Sequence, residues 1–280
     1  MSKYTEIAKK IKEADAILVG ASNGLSITEG IHLFANNQAF QELFGDYQRK
    51  YGLQNLLSGM LGSWPSEAEM WGFWSRMADH YSNNYEPSKA MKDLRAIVGD
   101  KDYFVLTSNG EQHFEKAGFD DDKVFEIEGD WLHVQCAHDC HQERYDWSVL
   151  AHEMAEKQAD GKVQAELIPR CPNCGGPMLP NMAAGHSFLP KAGVSERYQK
   201  FLKTYSGSNL VILELGIGWR NQLIKAPLMK LTAQEPNATY ITINLGEIYI
   251  TENIKEKSFG LDGYLESILN EIRFAIENRK

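Results

Sequence analysis

Four cysteines stand in two close pairs, Cys136-x3-Cys140 and Cys171-x2-Cys174. Two pairs of thiolates, each presented by a tight turn, can surround one zinc ion tetrahedrally. Pro172-Asn173 and Gly175-Gly176 supply turn chemistry around the second pair. Four protein sulfurs close the coordination sphere, so such a zinc is structural rather than catalytic. The alternatives are two disulfides or free thiols, and four cysteines are too few for a disulfide scaffold in a chain of 280 residues. His138 and His141 lie beside the pairs and are expected to be bystanders.

Three further clusters of small and amide residues suit a nucleotide. The first is Ser22-Asn23-Gly24-Leu25-Ser26, the second Gly216-Ile217-Gly218 and the third Asn244. Backbone N–H groups of a glycine turn can cradle a pyrophosphate. The full G-x-G-x-x-G is absent, and no acidic residue ends a second strand about 20 residues on, as a dehydrogenase needs. Ordinary turn formation is the competing account of all three clusters.

The elements around these clusters follow from apolar periodicity. Thr5–Ala14 has a helical apolar face. Apolar runs at 16–20, 102–107, 124–127, 209–215 and 239–243 predict buried parallel strands, and each cluster falls at a strand's carboxyl end or just beyond it. In open α/β sheets that rim is where ligands sit. Residues 34–97 are rich in aromatics at helical spacing, and Ser66-x-x-Glu69 predicts a capping box opening a helix that carries Met70, Trp74 and Met77. Trp71 and Trp74 are expected to be packing residues, and Asp120-Asp-Asp122 a solvated turn. Leu265, Ile268, Leu269, Ile272 and Ile276 give the last helix its apolar face.

The predicted fold class is therefore α/β: a Rossmann-like, doubly wound parallel sheet with a smaller zinc-binding and helical domain. Residues 1–35, 98–132 and 205–280 make the large domain; a helical insertion over 36–97 and a zinc-ribbon insertion over 133–204, with linkers, make the small one. A net charge of −9 argues against general nucleic-acid binding, which needs basic surface. No apolar run approaches the roughly 18 residues of a membrane helix. Met1–Asp15 lacks an apolar signal block, so a cytoplasmic location is expected.

The order of these motifs resembles the sirtuin family of NAD-consuming protein-modifying enzymes. Ser22-Asn-Gly-Leu-Ser-Ile-Thr-Glu-Gly-Ile31 is similar to the family's G-A-G-x-S-x-x-S-G-I. Thr107-Ser-Asn-Gly-Glu-Gln-His-Phe-Glu-Lys-Ala-Gly118 is similar to T-Q-N-I-D-x-L-H-x-x-A-G, keeping Thr107, Asn109, Ala117 and Gly118. Glu126-Ile-Glu-Gly129 occupies the E-L-H-G position and the cysteine pairs follow it. Ala184-Gly-His186 sits at the F-G-E position, and Gly216-Ile-Gly218 and Ile243-Asn244 at the late nucleotide-binding strand ends. The resemblance spans almost the whole chain. Two departures bear on chemistry. The P-D-F-R position reads His32-Leu-Phe-Ala35, and the catalytic histidine of H-G is Glu128. An ordinary carboxylate is a weaker base than imidazole at neutral pH unless burial raises its pKa.

These departures, with Gly216-Ile-Gly-Trp-Arg-Asn221 and Lys225-Ala-Pro227, resemble the class M branch. That resemblance implies a protein ADP-ribosyltransferase with NAD as co-substrate and a structural zinc. Its implied partners are a macrodomain hydrolase and, as acceptor, a lipoyl-carrying glycine-cleavage H-like protein, in a role tied to oxidative stress. It implies Asn109 and Glu128 as catalytic residues, and Ser22, Asn23, Gly24, Ser26, Asn109, Glu111, Gly216, Ile217, Asn221 and Asn244 as NAD-binding residues. His32, His113 and His186 are candidates for the acceptor channel or plain surface histidines. A deacylase using Glu128 or a water, an NAD glycohydrolase and an NAD-sensing module are the alternatives.

Overall fold

The computed structural model describes residues 2–183 and 188–278. The strands, in chain order, are β1 (Ala16–Ala21), β2 (Asp102–Thr107), β3 (Val124–Glu126), β4 (Gly129–Cys136), β5 (Arg144–Asp146), β6 (Met178–Met182), β7 (Leu210–Leu215), β8 (Thr239–Asn244) and β9 (Ser258–Asp262). Six of them form a parallel sheet in the order β3-β2-β1-β7-β8-β9. Numbered within that sheet alone, this is the 3-2-1-4-5-6 order of a doubly wound dinucleotide fold. The direction of winding reverses between β1 and β7, whose ends are in register at Ala21 and Leu215. A crevice opens outside the carboxyl ends at such a point.

Alternation along the strands sends side chains to two covered faces. Ile17 and Val19 face the helices Lys3–Glu13, Lys89–Val98 and Leu265–Glu277, packing with Ile7, Leu94 and Ile272. Leu18 and Ile212 face the helices Val194–Thr204 and Gln222–Gln234, packing with Phe201 and Leu228. A second, antiparallel sheet of order β5-β4-β6 shares a separate core with the helices Gln38–Tyr51, Glu67–Ala78 and Ser148–Lys157. Trp71 and Trp74 are fully buried there, as packing residues.

Packing also shows where the two cores divide. Met91, Leu94 and Ile97 belong to the large-sheet core, as do Val194 and Phe201. We therefore propose domain limits that differ from the sequence expectation: the helical insertion stops before residue 89 instead of at 97, and the zinc insertion before 194 instead of at 204. Sequence reading placed both helices with their chain neighbours, whereas their apolar faces lie against the sheet. The helix Glu67–Ala78 starts after Ser66 as expected, but its cap differs in detail. Ser66 Oγ accepts from the Ala68 N–H and donates to the Glu69 carboxylate, which also pairs with Lys162 at 2.9 Å, in place of the backbone bond a capping box makes to Glu69.

Candidate functional site

Three strand ends meet at the switch point. The Ser22 N–H donates to the Leu215 carbonyl at 3.3 Å, the Gly24 N–H to the Gly216 carbonyl at 2.9 Å, and the Gly216 N–H to the Ile243 carbonyl at 2.9 Å. Gly24 and Gly216 touch through their backbones. A Cβ on Gly24 would lie 2.5 Å from Gly216 Cα, and Gly216 holds a φ of +62°. Two glycines are thus required by contact, not only by turn geometry. Gly24→Ala should cost about 1–3 kcal/mol of stability through this overpacking. A urea melt measures that cost, and an NAD titration measures the accompanying loss of affinity.

A hydrogen-bond network fixes the polar side chains above this seam. Asn221 Nδ2 donates to Ser22 Oγ at 2.7 Å and to Ser108 Oγ at 3.2 Å, while Ser108 Oγ donates to Ser22 Oγ at 3.0 Å. The Asn109 N–H donates to Thr107 Oγ1 at 3.0 Å, and Asn109 Nδ2 donates to the Ser22 carbonyl at 3.2 Å. Asn109 is 6% exposed, yet its Oδ1 has no hydrogen-bond partner among the described residues. A buried acceptor left unpaired costs about 1–3 kcal/mol, so this oxygen is set to receive a donor from a ligand.

Two carboxyls face the same space. Glu111 is buried and accepts from Ser26 Oγ at 2.6 Å. Burial pushes its carboxyl up to about 7, against the pull of the Ser26 hydroxyl and of the Glu111 and Gly110 N–H groups. Glu128 is half-buried, and burial raises its carboxyl above the usual range. Asn23, Asn109, Glu111 and Glu128 line one cavity of about 180 Å³. Its remaining wall is largely apolar, with Phe34, Met60, Leu61, Trp131 and Met182. A second cavity of about 520 Å³ lies across the glycine seam, lined by Gly24, Gly216, Asn244 and Tyr264 among others.

The expected site residues therefore distribute over three places. Asn23, Asn109, Glu111 and Glu128 border the first cavity, and Gly24, Gly216 and Asn244 the second. Ser22, Ser26 and Asn221 brace the polar groups between them. Ile217 departs from its expected place: its side chain is wholly buried in the core with Ile212, Ile224 and Leu228 and lines neither cavity. His113 is buried against Tyr85 instead of lining a channel, and His186 lies outside the described residues. Sequence reasoning missed the apolar wall. Its one signal was the run Leu56-Leu-Ser-Gly-Met60, which forms a short helix at the cavity.

The cysteine pairs converge as their spacing predicts. All four sulfurs lie within 4.8 Å of one another, with Cys136–Cys174 at 3.7 Å and Cys140–Cys171 at 3.5 Å. A zinc tetrahedron with bonds of about 2.3 Å has edges of about 3.8 Å, so the four sulfurs fit a structural zinc. The separations are far beyond the roughly 2.05 Å of a disulfide. His141 sits outside the four, with Nδ1 3.0 Å from Cys140 Sγ.

Strand order and switch-point crevice define a Rossmann-like fold of the dinucleotide-binding type, with two cavities at its carboxyl rim. The chain is 30% identical over 274 residues to a protein ADP-ribosyltransferase of Staphylococcus aureus (strain Mu50), covering 96% of this chain and 86% of that one. It is also 30% identical over 221 residues to a probable bifunctional ADP-ribose hydrolase/ADP-ribosyltransferase of Fusarium oxysporum f. sp. cubense, covering 74% of this chain and 36% of the relative. Among solved structures, a Sir2 homologue–ADP-ribose complex matches at a TM-score of 0.64 with 17% identity, covering 100% of both chains. A Sir2 homologue–NAD complex matches at 0.63 with 17% identity, covering 97% of this chain and 93% of that one. No family model matches the chain. The chain belongs to the sirtuin family, with the protein ADP-ribosyltransferases.

Proposed function

We infer that the chain is an NAD-dependent protein ADP-ribosyltransferase. The convergence of Asn109, Glu111 and Glu128 on one cavity, with Asn109 Oδ1 unpartnered, carries this inference. NAD, when bound, supplies an ADP-ribosyl group whose ribose becomes oxocarbenium-like as nicotinamide leaves. The second cavity suits the adenosine end, and the Gly24–Gly216 seam brings backbone close enough for the pyrophosphate. Asn109 Oδ1 accepts from a ribose hydroxyl, with the amide held in that orientation by the Ser22 carbonyl. Glu111 meets the carboxamide end. Glu128, on the apolar side, takes the proton from the incoming acceptor group and offers negative charge to the cationic transition state.

The raised carboxyl of Glu128 improves its match to a base at neutral pH. Only its ionised form can accept a proton, so transfer should fall as pH drops through its titration. Glu128→Gln should reduce transfer about 10²–10⁴-fold, the range of a lost general base. Nicotinamide release with water taking the ADP-ribosyl group should fall less, because there Glu128 contributes only its charge to the transition state. Comparing the two rates over a pH series measures this separation.

The acceptor is a protein, and the apolar wall of Phe34, Met60, Leu61 and Met182 suits a long aliphatic arm. We propose a lipoyl-carrying glycine-cleavage H-like protein, with a macrodomain hydrolase removing the mark in oxidative stress, as the resemblance to the class M branch implies. The structure has no helix long and apolar enough to cross a membrane among the described residues. Four zinc-binding thiolates suit a reducing compartment, and we place the protein in the cytoplasm. Biotinylated NAD tests the function directly. Label on the carrier protein supports the transferase, free ADP-ribose without label means a glycohydrolase, and neither means a sensing module. Deacylation gained in Glu128→His would show that this position alone withholds the deacylase reaction.

A further inference from the structure

Behind Glu111, away from the cavity, lies a histidine that the chemistry above does not use. His113 is 3% exposed. Its Nε2 lies 2.7 Å from the Tyr81 carbonyl, which can only accept, so Nε2 carries the proton. Its Nδ1 is buried, has no hydrogen-bond partner among the described residues and lies 3.9 Å from Glu111 Oε1. The Tyr85 ring covers the imidazole face to face, with centroids 3.4 Å apart and planes at 8°. Tyr85 and Ser88 hydroxyls both donate to Glu29, each at 2.6 Å, which occupies that carboxylate and holds the stack in place.

The groups facing Glu111 are few. Ser26 comes from the helix after β1, His113 from its own segment, Glu128 from across the cavity, and Glu29 acts from behind Tyr85. None of these is a permanent cation. A bare Nδ1 opposite an ionised carboxylate would set a lone pair against a negative charge. A proton on Glu111 removes that charge, while Oε1 still accepts from Ser26 and the acid proton stays available to the cavity. We propose that His113 is a positioning residue whose bare Nδ1, fixed by Tyr81 and sealed by Tyr85, keeps Glu111 as a proton-bearing donor at the cavity floor. The functional part rests on the placement of Glu111 at the carboxamide end of NAD. There a neutral acid can donate to the amide carbonyl and accept from the amide N–H, whereas a carboxylate can only accept.

The direction of both titrations agrees with this geometry. Burial holds the His113 imidazolium down to about 4, while Glu111 sits at about 7. With that acid, NAD affinity should fall about tenfold at pH 8 relative to pH 6, in proportion to the neutral fraction. His113→Gln replaces the bare nitrogen by an amide able to donate, which favours the carboxylate. Its Glu111 should therefore ionise about one unit lower, and NAD affinity at pH 7 should drop about fivefold below that of the unaltered chain. Glu111→Gln keeps an amide donor at every pH, so its affinity should be flat from pH 6 to 8.

The test uses the full chain. Nitrogen-15 spectra of histidine-labelled protein read the His113 tautomer, and carbon-13 spectra of glutamate-labelled protein read the Glu111 carboxyl before NAD is added. A bare Nδ1 at neutral pH, with a Glu111 titration that moves in His113→Gln, supports the proposal. A doubly protonated His113, or a Glu111 titration unchanged in that variant, overturns it. If the carboxyl responds to His113 but NAD affinity shows no pH dependence in any of the three proteins, the effect of His113 on the Glu111 titration stands and the carboxamide placement of Glu111 fails.

Discussion

Asn109→Ala is expected to reduce nicotinamide release and protein labelling by about 10²–10³-fold, the scale on which one preorganised polar group at a reacting centre acts. The size of the effect follows from how the side chain is held. Its Nδ2 is engaged by the Ser22 carbonyl and its N–H by Thr107 Oγ1, so the amide cannot turn to satisfy Oδ1 elsewhere. The oxygen is therefore oriented before any ligand arrives, and orientation in advance is the component that truncation removes. The structural cost of the same change is small. One internal side-chain hydrogen bond is lost, worth about 1 kcal/mol. A drop of that size moves a thermal midpoint by about 2–4 °C in a domain of 150–250 residues. Thermal unfolding and nicotinamide release, measured on the same preparation, thus separate a disabled site from a damaged fold. Labelling at the original rate would remove Asn109 from the reaction.

Zinc removal, or Cys171→Ser, is expected to unfold the small lobe while the parallel sheet persists. Cys136 and Cys171 are 2% exposed and belong to the second core, so the metal site is continuous with its packing. Structural zinc contributes about 10–16 kcal/mol in small zinc-binding peptides. That matches or exceeds the 5–15 kcal/mol by which whole domains are stable. The large-sheet cores contain none of the four cysteines. A chelator should therefore split one thermal transition into two and open 133–183 to proteolysis, with released metal rising in step. The reaction should be lost together with the metal, although none of the four cysteines lines its cavity. Gly129 of β4 pairs with Met182 of β6, and the Ala183 N–H donates to the Glu128 carbonyl at 2.9 Å. Trp131 and Met182 on these two strands also wall the cavity. A single unchanged transition after complete metal loss would show that the lobe folds without zinc.

The two experiments act on different halves of the site. Asn109 and its braces come from the ends of β1 and β2, inside the large-sheet framework. Glu128 hangs between β3 and β4, where the two sheets join. Nicotinamide release should thus be sensitive to the first half and acceptor transfer to both.

Much of this was legible in the residues. Buried parallel strands announce themselves as short β-branched and aliphatic runs, and the runs at 16–20, 102–107, 210–215 and 239–243 each became a strand of the large sheet. Thiolate pairs at x3 and x2 spacing are a chelate written in sequence, and their sulfurs meet at tetrahedral distances. Glu128 in place of an imidazole is likewise visible from one position. Such signals are local, because period, turn chemistry and chelate bite involve residues a few positions apart. What folding alone decided lies between distant positions. Ser26 reaches Glu111 across 85 residues, and Asn221 reaches Ser22 across 199, only because β1, β2 and β7 lie side by side in one register. The same registry turned Ile217 into the core, laid two helices against the large sheet and raised an apolar wall from the insertion. That burial raises the carboxyls of Glu111 and Glu128 was equally undetermined by the chain's letters, because desolvation is a property of surroundings and no residue carries its surroundings with it.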